Sequence, residues 1–296
     1  MDIDQHWTDN AMEMEAALDN LTPHITKTAE YPVARGGFGE VWKCLLQSTK
    51  GPVKVAVKAF QMYSAAEAIS TNAKNIKRIR RELGTSAGLR HPNVLRVYGY
   101  SLGFGPLPAI VTPWVEQGNL SGFLEREGLS LTTAHRFKML RAIASGLQYL
   151  HTNNIVHGDL TGPNVLIHGD GSACVADFGL SLLDAPYASW TSRMKGNLRW
   201  MAPELLRDDY GTPVRPTKRS DIYSFGGVML QVITGDVPFH YLPEFPIVLM
   251  KYNAEIPSRV KYPSCNDAHW NFIEECWSTD PLMRPSVESV VTFIGR

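Results

Sequence analysis

His157-Gly158-Asp159-Leu160-Thr161-Gly162-Pro163-Asn164 runs directly into an apolar stretch, Val165-Leu166-Ile167, and a second strand-like run then leads to Asp177-Phe178-Gly179. An Asp, an Asn five residues on and another Asp thirteen beyond that supply oxygen ligands suited to Mg²⁺. One carboxylate is left over to accept a proton. Asp-Phe-Gly on its own turns up by chance. Its place after 157–164 and before Ala202-Pro203-Glu204 does not.

Toward the N-terminus, Arg35-Gly36-Gly37-Phe38-Gly39-Glu40-Val41 joins two strand-like segments. Glycines let backbone N–H groups approach phosphate oxygens with no side chain in the way. Alone, this run equally describes a glycine-rich hairpin. Val55-Ala56-Val57-Lys58 reads as a buried strand ending in a charge, with Lys58 19 residues after Gly39. That distance brings the next strand back beneath the loop, where a lysine meets phosphates. A lysine at a strand end is otherwise an ordinary solvated residue.

Around these signals the chain alternates in character. Residues 40–46, 53–60, 94–100 and 107–112 read as strands, with Lys50-Gly51-Pro52 as turn chemistry and a helix-like stretch over 65–87. From about residue 120 helical periodicity dominates. Residues 136–150 place Phe137, Leu140, Ile143, Ala144, Leu147 and Leu150 on one face. A β-rich smaller part followed by a helical larger part predicts an α+β chain of two lobes with a cleft between them. Residues 1–26 carry six acids and no Lys or Arg and read as an acidic extension with a weak helical pattern over 11–21.

Composition bounds the function. The 296 residues are 44% hydrophobic and 20% charged, which suits a globular chain and argues against disorder. Lys plus Arg equals Asp plus Glu at 29 each, so there is no global field for nucleic acid or an anionic membrane. No run approaches 18 apolar residues, so no membrane span is expected. The N-terminus lacks the basic and apolar regions of a signal peptide. Cys44, Cys174, Cys265 and Cys276 show no metal-ligand spacing. Together these lead to the expectation of a cytoplasmic protein with reduced thiols.

These motifs, in this order, resemble those of the eukaryotic protein kinase domain over residues 28–296: glycine-rich loop, strand lysine, catalytic loop, Asp-Phe-Gly and Ala-Pro-Glu. Asp221-Ile222-Tyr223-Ser224-Phe225-Gly226 and Arg284-Pro285 match further. Trp200-Met201-Ala202-Pro203-Glu204 and Cys276-Trp277 look most like the tyrosine-kinase-like group. The His-Gly-Asp loop resembles kinases of that group found in fungi.

The resemblance implies a bilobal fold, with a small lobe at about 27–112, a hinge at 113–118 and a large lobe at 119–296. It implies ATP and Mg²⁺ as cofactors and protein Ser or Thr hydroxyls as acceptors. Lys58 would hold the α- and β-phosphates, with Glu82 as its partner on the small-lobe helix. Asp159 would orient the substrate hydroxyl and take its proton. Asn164 and Asp177 would hold the metal. Arg35, Gly36, Gly37, Phe38 and Gly39 would cover the phosphates. Val41, Ala56 and Leu166 would sandwich the adenine, with Thr112 as gatekeeper and the Pro113 and Val115 backbone as its hydrogen-bonding edge. Glu204 would pair with Arg284, and Asp221 would brace the catalytic loop. His157 reads as a core residue near Phe178 and Cys174 as an ordinary strand residue.

Several positions depart from the family pattern. Ala34 stands where the first loop glycine usually sits. Gly158 replaces the Arg that receives an activation-loop phosphate, so switching through Tyr187, Ser189, Thr191 or Ser192 loses its receiver. Thr161 replaces a Lys near the γ-phosphate. Asn197 replaces a Thr or Ser. Ser86, flanked by Gly84 and Gly88, replaces an apolar contact to Phe178 and predicts a loosely held helix. Lys74, Lys77, Arg78, Arg80 and Arg81 form a basic run that reads as a solvated face or as a dock for the acidic extension. The competing functional reading is a pseudokinase, a scaffold that binds nucleotide without efficient transfer. A module that binds no nucleotide fits less well, because the phosphate loop and both metal ligands remain.

Overall fold

The computed structural model describes residues 19–36, 39–59, 84, 88–178, 198–206, 208–209 and 212–295. The chain divides into two compact units, Met1–Arg90 with Leu95–Val115, and His91–Val94 with Glu116–Arg296. It is an α+β chain, with a β-sheet unit and a helical unit.

The first unit is a six-stranded antiparallel sheet. Its strands are β1 (Ile25–Lys27), β2 (Ala34–Gly36), β3 (Gly39–Ser48), β4 (Gly51–Ala59), β5 (Gly99–Ser101) and β6 (Ala109–Pro113). The order is β1-β3-β4-β6-β5, with β2 also paired to β3. Side chains alternate across a strand, so β4 buries Val55, Val57 and Ala59 on one face. With Cys44, Ala109 and Val111 they form the core, which Trp42, Leu46 and Phe104 flank. A tight turn at Thr49-Lys50 joins β3 to β4, and Gly51 after it takes a φ of +106°, which a side chain would strain.

The strand β1 crosses the 26/27 boundary drawn from composition. Residues 19–27 follow the sheet: Leu21 N–H donates to the Tyr100 carbonyl (2.8 Å), and Tyr100 N–H donates to Asp19 (3.1 Å). Residues 94–100 do not form one strand. The turn at Pro92-Asn93 carries Val94 into the helical unit, where it bridges Val175, and only Gly99–Ser101 enters the sheet.

The second unit contains α1 (Leu120–Glu127), α2 (Thr133–Thr152), the hairpin β7 (Val165–Ile167) and β8 (Ala173–Val175), α3 (Lys218–Thr234), α4 (Glu244–Tyr252), α5 (Asp267–Cys276) and α6 (Val287–Gly295). Side-chain caps start four of these helices. Asn119, Thr132 and Asn266 each accept from an N–H of the first turn, and Thr217 with Ser220 forms a capping box. The periodicity over 136–150 lies within α2, which buries Leu140, Ile143, Ala144, Leu147 and Leu150 and leaves Phe137 half-buried against His269. The helix α3 is buried on all sides from Ser220 to Val232 and packs against α2 and α5, forming the centre of this unit.

Candidate active site

Strand register places the first group of candidate residues. In the β-sheet unit Val41 lies opposite Lys58, and Ala56 lies opposite Thr112. Directly opposed residues share a face, so Val41, Ala56, Lys58 and Thr112 occupy the face away from the Val55–Val57 core. The Lys58 Nζ is buried. Gly36 and Gly39 pair across a hairpin tip, and Gly39 has a φ of +135°. Arg35 is exposed and meets Glu40 at 3.1 Å. Pro113 ends β6, Trp114 N–H donates to the Lys54 carbonyl (3.2 Å), and Val115 is buried. Gly37, Phe38, Glu82 and Ser86 lie outside the described residues. So do the basic run over 74–81, residues 1–18, Asn197 and the four hydroxyl residues of 187–192.

The second group lies in the helical unit, on the loop between α2 and β7. Asp221, near the start of α3 and 1% exposed, holds this loop by its backbone. Its carboxylate accepts from the His157 N–H (2.8 Å) and the Gly158 N–H (2.8 Å), and His151 Nε2 lies 2.8 Å away. Gly158 takes a φ of +76° to bring its N–H there. Next in the chain, the Asn164 side-chain amide donates to both the backbone carbonyl (2.8 Å) and the carboxylate (2.7 Å) of Asp159. Asn164 also accepts from Ala176 N–H through its carbonyl (2.8 Å), which ties the Asp159 loop to the residue before Asp177. Asp177 is half-buried with a φ of +58°. Leu166 lies on the face of β7 opposite the buried Val165 and Ile167.

His157 is fully buried and sits edge-on to Phe178 with ring centroids 6.4 Å apart. Burial lowers its pKa, although Asp221 and Asp177 push the other way. Its Nδ1 accepts from Asp159 N–H (3.3 Å). A neutral imidazole packed in this way is the expected core residue. Cys174 is buried in β8, and desolvation pushes its thiol up to about 12, in keeping with an inert strand position. Arg284, with its side chain fully buried, meets both Glu204 oxygens, at 2.7 and 2.8 Å. This is the ion pair that the resemblance implies, and the structure makes it bidentate.

Other contacts left no sequence signal. Thr161 is 2% exposed, and its hydroxyl has no hydrogen-bond partner among the described residues. Beside it, a Cβ on Gly162 would lie 2.3 Å from Gln231 Oε1 and 2.6 Å from Ser121 Oγ. Gly162 therefore lets α1 and α3 close beneath the loop. The turn of Asn93 docks similarly: its amide donates to the Ala173 carbonyl (2.9 Å), and its carbonyl accepts from Val175 (2.9 Å). The sequence reading of 94–100 as strand hid this turn. Among the described residues no cluster of three His, Cys, Asp or Glu side chains is placed to hold a metal, and no helix is long and apolar enough to cross a membrane.

The profile of the protein tyrosine and serine/threonine kinase family matches residues 28–294. The tyrosine-protein kinase receptor TYRO3 of Rattus norvegicus is 32% identical over 92% of this chain and 31% of its own length. The serine/threonine/tyrosine-protein kinase HT1 of Arabidopsis thaliana is 31% identical over 82% of this chain and 60% of its own. The serine/threonine-protein kinase CTR1 of the same plant is 29% identical over 88% of this chain and 30% of its own. The chain thus spans between about a third and three-fifths of the length of these relatives. With an Asp159–Asn164 loop hung from Asp221 and a bidentate Glu204–Arg284 pair, the chain belongs to the protein tyrosine and serine/threonine kinase family.

Proposed function

We propose that residues 27–296 form a kinase domain that transfers the γ-phosphate of ATP to Ser or Thr hydroxyls of proteins. The observation that carries this reading is the hold on Asp159. Asn164 grips its carboxylate and Asp221 fixes the backbone before it, so the group is oriented before any substrate arrives. Asp159 accepts the hydroxyl proton as the new P–O bond forms and the bond to the ADP oxygen breaks.

The residues fit Mg-ATP. The donors are oxygens, as Mg²⁺ requires, from the Asp177 carboxylate and the Asn164 side-chain carbonyl. The glycine hairpin at Gly36–Gly39 leaves backbone N–H groups approachable by phosphate, and the Lys58 Nζ is withheld from bulk water. Mg²⁺ supplies charge neutralisation on the phosphates when bound. In this reading Lys58 holds the α- and β-phosphates with Glu82. Arg35, Gly36, Gly37, Phe38 and Gly39 cover them. Val41, Ala56 and Leu166 contact the adenine beside Thr112, Pro113 and Val115.

CTR1, by its name a serine/threonine kinase, supports the choice of acceptor. Thr161 favours the pseudokinase alternative. It is buried where the family pattern has a Lys, so that position brings no cation to the phosphates.

Labelled ATP with Mg²⁺, a generic protein substrate and an Asp159→Asn control decide between the two. Transfer is expected in the native chain and at least a thousandfold lower in the control, with label on phosphoserine and phosphothreonine. Absence of transfer, with ATP still raising the unfolding temperature, establishes the scaffold.

A further inference from the structure

Residues 19–27 reach both edges of the β-sheet unit, whose strand order runs from β1 to β5. In β1, Ile25 pairs with Leu46 of β3 and Lys27 with Cys44. The residues just before β1 lie along β5 instead, where Asn20 bridges Tyr100 in parallel. An edge strand presents unpaired N–H and C=O groups. Here both backbone groups of Tyr100 are spent on this segment, the N–H on the Asp19 carbonyl (3.1 Å) and the carbonyl on Leu21 N–H (2.8 Å). Two residues on, Leu102 N–H donates to the Thr22 hydroxyl (2.9 Å). That hydroxyl in turn donates to the Asn20 side chain (2.6 Å).

The seat for this segment is shaped by Gly99 of β5. A Cβ there would lie 2.3 Å from the Asp19 carbonyl oxygen and 3.0 Å from Leu21 Cδ1. Glycine inside a strand weakens it and marks a close backbone approach. The backbone that approaches here is that of residues 19–21. Leu21 and Ile25 then pack on the core of Val55, Val57, Ala109 and Val111. Lys27 Nζ lies 4.4 Å from the Trp42 ring centre and 4.6 Å from that of Phe104.

The strand β5 has three residues, so its ladder to β6 is short. In that ladder Gly99 lies opposite Val111 and Tyr100 opposite Ile110. The next residues of β6 are Thr112 and Pro113, and Ile110 lies opposite Lys58 on its other side. A segment anchored on β3 and on β5 restrains the strands between them, β4 and β6. Leu21 packs on the Val55–Val57 face, away from Lys58, so any effect on a nucleotide passes through β5 and β6.

We infer that residues 19–22, seated on Gly99, are a positioning strap for nucleotide binding, holding β5 against β6 and so fixing the adenine edge at Thr112, Pro113 and Val115. The inference rests on the kinase reading above for the nucleotide. It needs no contact between the strap and the nucleotide.

The test is Gly99→Ala in the full chain, because among the described residues the atoms nearest the added Cβ belong to Asp19 and Leu21. Titration well below the unfolding temperature is expected to show Mg-ATP Kd raised about fivefold, the lower end of coupling between sites. Amide exchange at Tyr100 and Leu102 is expected to be about tenfold faster, with peptide KM within about twofold of the native value. Faster exchange with an unchanged Mg-ATP Kd overturns the inference and leaves the strap a fastening of the fold alone. Unchanged exchange at both amides overturns it too, since Gly99 is then not the seat. Should Gly99→Ala not fold, Thr22→Val, which removes the acceptor for Leu102 N–H, must raise the Mg-ATP Kd about twofold. A native chain that binds Mg-ATP without transferring phosphate ends the kinase reading alone, and the Kd still decides for the strap. A native chain that binds no Mg-ATP ends both.

Discussion

Gly158 occupies a backbone position that glycine takes without strain and that side chains resist. Its φ of +76° turns the N–H toward Asp221, and that bond helps hold the loop before Asp159. An L-residue in the left-handed region costs about 1–2 kcal/mol. Gly158→Ala is therefore expected to lower stability by about 1 kcal/mol in urea unfolding, with no change in which hydroxyl is phosphorylated. Asp221 shows the same dependence from the acceptor side. It accepts two backbone N–H groups while 1% exposed, so the loop's shape depends on a residue more than sixty positions away. The motif showed that Asp221 belonged to the family pattern. The receiving atoms became visible only when the chain was folded.

At the scale of elements, close approach governs the site. A Cβ on Gly146 of α2 would lie 2.3 Å from the Asn93 backbone carbonyl. Backbone cannot move aside as a flexible side chain can, so the helix and the 91–94 turn must part. Gly146→Ala is expected to cost about 1–3 kcal/mol, as overpacking does, and to speed amide exchange at Val175, which donates to that same carbonyl. Unchanged exchange there would mean that the turn is held by other contacts. The strand alternation that puts Lys58 and Ala56 on the face opposite Val55 and Val57 was legible in the sequence, because a period of two is a local property. The loss of Val94 from the strand reading was not. Its partner Val175 lies in β8, and no local pattern records a bridge across so many residues.

For the whole molecule, Lys58 and the glycine hairpin lie in the sheet unit, and Asp159, Asn164 and Asp177 lie in the helical unit. A ligand that engages the native chain and not the unfolded one raises stability by mass action, about 2.7 kcal/mol at a hundredfold excess over Kd. Mg-ATP is expected to raise the unfolding temperature by a few degrees, more than ATP without metal, and Lys58→Met is expected to remove most of the shift. An equal shift in Lys58→Met would take that lysine out of the nucleotide site.

The sequence by itself determined the residue types and their order: glycines at a hairpin tip, a lysine on the next strand, and Asp, Asn and Asp at fixed spacings. Those features are local, carried by residue type and short-range period. Only the tertiary structure decided that Asn164 grips Asp159, that Asp221 carries the loop, that Gly162 and Gly146 admit neighbouring elements, and that residues 19–21 pair with Tyr100. Most of these depend on residues far apart in the chain meeting within hydrogen-bond distance. Packing sets that proximity, and no single stretch of sequence encodes it.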